Sequence, residues 1–215
     1  LIYPQSLPAI VVSRVLAPKA GETIVDLNCA PGGKLSHICQ LMENKGVVIG
    51  VDRNESKIKR TYETLRRLRC KNVTLMQHDA RYIHLDFPNL RADRCLVDPS
   101  CSALGIMPKT YEYCTISEIR DLANYQRQFL GTAASILKPG GRLVYSVCTL
   151  TLEECEQTAE YCAEECGLDI EKQVPFVGSP GIAGVSSHSH LFQRFHPHIH
   201  GSGYFIASFR KRSNA

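Results

Sequence analysis

Two kinds of apolar pattern alternate along the chain. Short, nearly continuous runs at 23–28 (TIVDLN), 47–52 (VVIGVD), 73–78 (VTLMQH), 94–99 (RCLVDP) and 141–147 (GRLVYSV) have the length of strands. Between them, stretches at 33–44, 54–69, 117–137 and 151–166 carry apolar residues at helical spacing. Runs of Val, Ile and Leu without polar alternation suit strands covered on both faces, as in a parallel sheet. The alternation predicts a doubly wound, Rossmann-like α/β domain over 1–215, with helices on both faces. LDIEKQ (168–173) and GYFIASFRK (203–211) extend the mostly parallel sheet to seven strands, the final one expected to pair antiparallel. The segment 174–202, rich in Gly, Ser, Pro and His, reads as a long surface loop.

Composition narrows the class. The chain has 215 residues, enough for one well-cored domain, and 44% of them are hydrophobic. No apolar run approaches the roughly 20 residues that span a bilayer. Ten cysteines are spread over strand-like and helix-like segments with no CxxC pair, which points to free thiols in a reducing compartment rather than disulfides or zinc. A cytoplasmic protein is therefore expected, nuclear or nucleolar if the source is eukaryotic, and a monomer. The net charge of +4 is concentrated: Arg53 to Lys71 carries eight Lys/Arg against two Glu, and RKR lies near the end. Such a run is either a solvated helix face or a surface for an anionic partner such as nucleic acid.

Ligands of doubly wound sheets sit outside the carboxyl ends of the strands, near the point where strand order reverses. The first such end is followed by CAPGGK, whose Pro31, Gly32 and Gly33 let the backbone approach a ligand before a helix begins. Leu35 follows Lys34, so the lysine–hydroxyl pair of a phosphate loop is missing. Asp52 closes the next run and suits the two hydroxyls of a ribose; Asp79 follows the third and is placed for an adenine amine. With Asp98 after the fourth, the acids favour adenosine joined to a positive sulfonium over a pyrophosphate, which fits S-adenosylmethionine. Helix capping is the alternative for any one of them.

Two thiols face the same end. Cys101 follows Asp98 in DPSCSALG, and Cys148 ends the adjacent run in YSVCT. Carbon-5 of a pyrimidine becomes nucleophilic only after a thiolate adds to carbon-6, so methylation there needs this equipment whereas amine methylation does not. An acid at the ring nitrogen would stabilise the charge that appears on addition. The other cysteines, including Cys29, Cys39, Cys70, Cys95, Cys155, Cys162 and Cys166, read as core fillers.

These residues together resemble the Nop/Sun (Fmu-like) RNA cytosine carbon-5 methyltransferases. DLNCAPGGK is similar to the family's donor loop, DPSCSALG to its Asp-Ala-Pro-Cys-Ser-Gly motif, and YSVCTLTLEECE to its Tyr-Ser-Thr-Cys motif with the following helix. The likeness continues in LPAIVVSRVLAPKAGE and HPHIHGSGYFIASFRK, so it covers nearly the whole chain. It implies a class I S-adenosylmethionine-dependent methyltransferase fold and an enzyme acting on RNA. By the resemblance, Cys148 attacks carbon-6, Cys101 helps release the product, and Asp98 contacts the base with Lys34 beside it. Asn28, Cys29, Ala30, Pro31, Gly32, Gly33, Lys34, Asp52, Lys57, Asp79 and Asp98 are expected to hold the donor. A helix N-terminus beyond Cys148 is expected to lower its pKa.

The chain departs from the family pattern at Asn28, Ser100, Ala103 and Val147, none of which removes a reacting group. The first and last segments look closest to the tRNA-acting branch, whose members carry a further RNA-binding domain. A fragment lacking such an N-terminal region is expected. Alternatives are an rRNA substrate, a DNA-cytosine or amine methyltransferase, and a weakly active donor-binding scaffold in ribosome assembly. His188, His190, His196, His198 and His200 crowd one segment; it is expected to form part of an RNA-facing wall with Arg194 rather than a metal site.

Overall fold

The computed structural model describes residues 2–108 and 113–213. Its strands are β1 (Thr23–Asp26), β2 (Val47–Asp52), β3 (Val73–Gln77), β4 (Ala92–Val97), β5 (Leu137–Val147), β6 (Leu168–Ile170), β7 (Ser179–Pro180), β8 (Gln193–Phe195) and β9 (Tyr204–Lys211). The helices are α1 (Leu7–Leu16), α2 (Gly33–Leu41), α3 (Glu55–Arg67), α4 (Ile83–Asp86), α5 (Ile116–Ile136), α6 (Glu156–Glu165) and α7 (Pro197–His200). The sheet runs β3-β2-β1-β4-β5-β9-β8-β7, with β6 also on β9. β1 to β5 pair in parallel and β9 lies antiparallel to β5, as expected of the closing strand.

Alternate residues of the central strands serve two cores. Val25, Cys95, Val97, Leu143 and Tyr145 pack beneath α5 and α6, with Phe129, Leu130 and Ala159. Ile24, Leu96 and Val144 pack beneath α1 and α2, with Val12, Leu16, Leu35 and Ile38. Both faces are therefore apolar, which is why the strands read as continuous runs.

Three expectations change. Nine strands are described rather than seven, because 174–202 is not a loose surface loop. It supplies β7 and β8, and Phe192, Arg194 and Phe195 are fully buried. Arg194 therefore does not face outward toward RNA: its guanidinium is buried against Glu156 and donates to the Leu150 carbonyl at 2.9 Å. Finally, the helix expected from 151 begins at Glu156, and residues before it form a turn.

Candidate active site

Strand order reverses at β1, which pairs β2 on one side and β4 on the other. Two adjoining clefts open at the carboxyl ends there, and Asn28 lines both. One, of about 130 Å³, is bounded by Asp52, Lys57, Asp79, Tyr125 and Phe129. The other, of about 210 Å³, is bounded by Ala30, Pro31, Gly33, Lys34, Asp98 and Asp26. The expected donor residues thus converge, Cys29 included although its side chain is buried in the α1/α2 core, and only Gly32 lines neither cleft. Gly32 enters α2 with φ 98°, and a Cβ on Gly33 would lie 2.9 Å from the Tyr3 ring, so the glycines are needed for the close turn.

The clefts suit a nucleoside that carries a positive centre. The Oδ1 of Asn28 is buried with no hydrogen-bond partner, an acceptor left for a ligand. Burial pushes Asp26 up to about 7, opposed by the N–H of Asn28 and with the Asp98 carboxylate adding to the rise. A cation beside these acids would be stabilised and a phosphate would be repelled. Asp79 is not free to turn: Arg81 donates to it through Nε at 3.0 Å and Nη2 at 2.6 Å. That side-chain hydrogen bond holds the Asp79 carboxyl below its ordinary range.

At the second cleft the end of β4 meets the end of β5. Asp98 Oδ2 accepts from Lys34 Nζ at 2.6 Å, and Oδ1 accepts from Ser146 Oγ at 2.8 Å and the Tyr204 hydroxyl at 2.9 Å. Asp98 therefore receives three hydrogen bonds and offers none. Burial lowers Lys34, but Asp98 and Tyr204 outweigh it and raise it overall. The sulfur atoms of Cys101 and Cys148 stand 3.3 Å apart. Their hydrogen bond pushes Cys148 below the ordinary thiol range and Cys101 above it. Around that bond the charges are mixed: Asp98 raises Cys148 and Lys34 lowers it, whereas Glu154 raises Cys101. The expected helix N-terminus plays no part, since α6 starts only at Glu156.

Asp26, Ser146 and Tyr204 were not among the residues expected here. Ser146 was legible: it lies near the end of β5, two residues before Cys148. Asp26 ends β1 just before the donor loop and carried the same signal as Asp52. Tyr204 arrives through the antiparallel register of β9, where Ser146 pairs Ile206 and Val147 pairs Phe205, and no local pattern gives that register.

Comparison with known proteins places this geometry. Residues 13–210 match the family described as 16S rRNA methyltransferase RsmB/F. The chain belongs to that family. Among its members, a tRNA (cytosine(72)-C(5))-methyltransferase of Pyrococcus horikoshii is 45% identical over 97% of this chain and 52% of its own length. A 28S rRNA (cytosine-C(5))-methyltransferase of mouse is 34% identical over 93% of this chain and 27% of its own. The crystal structure of NSun6 from P. horikoshii with SFG superposes with a TM-score of 0.91 at 44% identity, over 97% of this chain and 53% of that one. The RsmB/F fold is thus a class I methyltransferase fold here, and the chain spans about half the length of the first of these relatives.

The histidine-rich segment separates into unrelated parts. His188 meets Glu160 at 3.1 Å, while the rings of His196 and His198 meet at a tilt of 44° with centroids 5.7 Å apart. Among the described residues no group of three or more His, Cys, Asp or Glu is arranged around a metal ion, and no helix is long and apolar enough to cross a membrane.

Proposed function

We propose that the chain transfers a methyl group from S-adenosylmethionine to carbon-5 of a cytosine in RNA, with tRNA as the substrate and Cys148 as the attacking group. The observation that carries this is the thiol pair 3.3 Å apart, set beside the Lys34–Asp98 pair at the mouth of the donor clefts. The match at 45% identity to a tRNA cytosine methyltransferase supports tRNA over rRNA.

The donor supplies an electrophilic methyl on a sulfonium. Asn28, Asp52 and Asp79 hold the nucleoside part, and Asp26 and Asp98 favour the positive centre. Asp98 Oδ1 already accepts two hydrogen bonds and Oδ2 one, so a single acceptor position remains for the exocyclic amine of cytosine. The positive charge facing the ring comes from Lys34, which stabilises the electron-rich ring formed when the Cys148 thiolate adds at carbon-6. Carbon-5 then takes the methyl as the carbon–sulfur bond of the sulfonium breaks. After the carbon-5 proton passes to water, the carbon-6 bond breaks and its electron pair returns to Cys148. The hydrogen bond from Cys101 that depresses the thiol stabilises that departing thiolate, which gives Cys101 its part in release.

Purified protein, methyl-labelled S-adenosylmethionine and unmodified tRNA and rRNA transcripts, followed by nucleoside mass spectrometry, test the reaction. Label in 5-methylcytidine of tRNA is the expected result; label confined to rRNA changes the substrate, and donor binding without label sinks the enzyme reading. Cys148→Ser is expected to lower turnover by at least about a thousand-fold. Cys101→Ala should instead leave protein covalently attached to RNA, seen as a slow band on a denaturing gel.

A further inference from the structure

The turn between Cys148 and α6 buries an acid that the reaction does not use. Glu154 is fully buried, and no Lys or Arg side chain hydrogen-bonds or ion-pairs with it among the described residues. Its Oε1 accepts from the N–H of Ser102 at 2.9 Å and from Gln126 Nε2 at 2.8 Å. Its Oε2 accepts from Ser102 Oγ at 2.5 Å and Thr151 Oγ1 at 2.9 Å. The one hydroxyl proton of Ser102 is thereby committed, so the Thr149 hydroxyl is the donor in its 2.6 Å contact with Ser102.

Ser102 follows Cys101 and Thr149 follows Cys148. The residue after each thiol is therefore tied to one carboxylate, directly or through a single hydroxyl. Gln126 also donates to the Ser100 carbonyl at 3.1 Å, so both neighbours of Cys101 are held. The Tyr145 hydroxyl lies 2.7 Å from Gln126 Oε1 and from the Glu154 carbonyl, fixing the clamp to β5.

We propose that Glu154 is a positioning residue that sets the separation of the two thiols by clamping the Cys101 loop to the Cys148 loop. This rests on the reading of the thiol pair as the reacting centre. Burying a carboxyl is costly unless every acceptor is satisfied, and here four donors converge on it. A sulfur contact weakens steeply with distance, so a small relaxation of either loop forfeits the hydrogen bond from Cys101. The groups facing Cys148 are Cys101 from the loop after β4, Asp98 from the end of β4, Lys34 from α2 and Tyr204 from β9. Asp98, Lys34 and Tyr204 hold one another, so only Cys101 depends on the clamp. Loss of Glu154 acts on the thiols, and the clamp reaches the donor clefts only at Ser100, whose carbonyl Gln126 holds.

The test uses the full chain without RNA. Iodoacetamide alkylation of Cys148 is followed by peptide mass spectrometry across pH, in wild type, Glu154→Gln and Ser102→Ala, with S-adenosylmethionine binding measured by calorimetry. In both variants the pH midpoint is expected to rise by about one unit, a roughly ten-fold loss of alkylation rate at neutral pH, with donor affinity unchanged. A midpoint equal to wild type in a folded variant overturns the proposal, and so does a shift accompanied by loss of donor binding. Ser102→Ala removes a single hydroxyl and carries the test if Glu154→Gln does not fold. Neither readout involves methyl transfer, so failure here is distinct from failure of the proposed reaction.

Discussion

Asp26 shows how much of the site is held in readiness by single groups. Burial raises its pKa from 3.8 to about 7; the Asn28 N–H and Lys34 oppose the rise, and Asp98 and Asp52 add to it. A carboxyl whose folded pKa lies above its unfolded value gives the folded state extra protons between those values. Its contribution is therefore fully present below about pH 4 and is lost as pH rises through about 7. The protein is expected to lose on the order of 4 kcal/mol from this group across that window. In Asp26→Asn that pH dependence should flatten, measured as urea unfolding at pH 5 and pH 7.5. A saturating donor should restore wild-type stability at pH 7.5 and do much less for the variant, since the cation it brings would find no carboxylate. An Asp26→Asn protein with the wild-type pH profile would show that burial is not what sets this group.

At the scale of elements, the least legible part of the chain has a consequence for stability. The parallel strands were visible in the sequence because both their faces are covered, so apolar runs marked them directly. The positions of the glycine-rich loop after β1 and of the two thiols near strand ends were visible, because each follows an apolar run directly. The order of β7, β8 and β9 was not visible, since it depends on distant pairing such as Arg194 with Phe205. Gly, Ser, Pro and His around 174–202 masked three buried side chains. α1 was hidden for a different reason: its Val-rich core positions suit strands, and it is settled by packing against α2. Its last carbonyls accept from Arg94 and Arg142, at 2.8 Å and 3.0 Å. In 174–202 the anchor is the Arg194–Glu156 pair, 2% and 0% exposed. Arg194→Met removes one partner and strands a buried carboxyl, so it is expected to cost about 3–5 kcal/mol in urea unfolding. Replacing both partners by apolar residues should recover much of that, which a double-mutant cycle would read.

For the molecule as a whole, the open question from the sequence is what the basic run on α3 does. Lys57, Arg60 and Arg67 share one face of the helix, and that face is turned toward the reacting end: Thr64 between them packs near Gly32, and Arg67 lies over the Tyr3 ring at 6.0 Å. Lys57 itself lines the donor cleft, while Arg60 and Arg67 are exposed. A solvated face would have no reason to run from the donor cleft to a ring that borders Gly33. A strand of RNA entering the site would meet this stripe with its phosphates. Each phosphate contact releases counterions and steepens the fall of affinity with salt by about 0.7–0.9 in a log–log plot. Arg60→Glu with Arg67→Glu is therefore expected to weaken RNA binding uniformly across sequences and to lower that slope by about 1–2, with donor affinity intact. Filter binding across a salt series reads both quantities. An unchanged slope would return α3 to the role of a solvated surface, and the path of the RNA would then have to be sought on the other side of the cysteine pair.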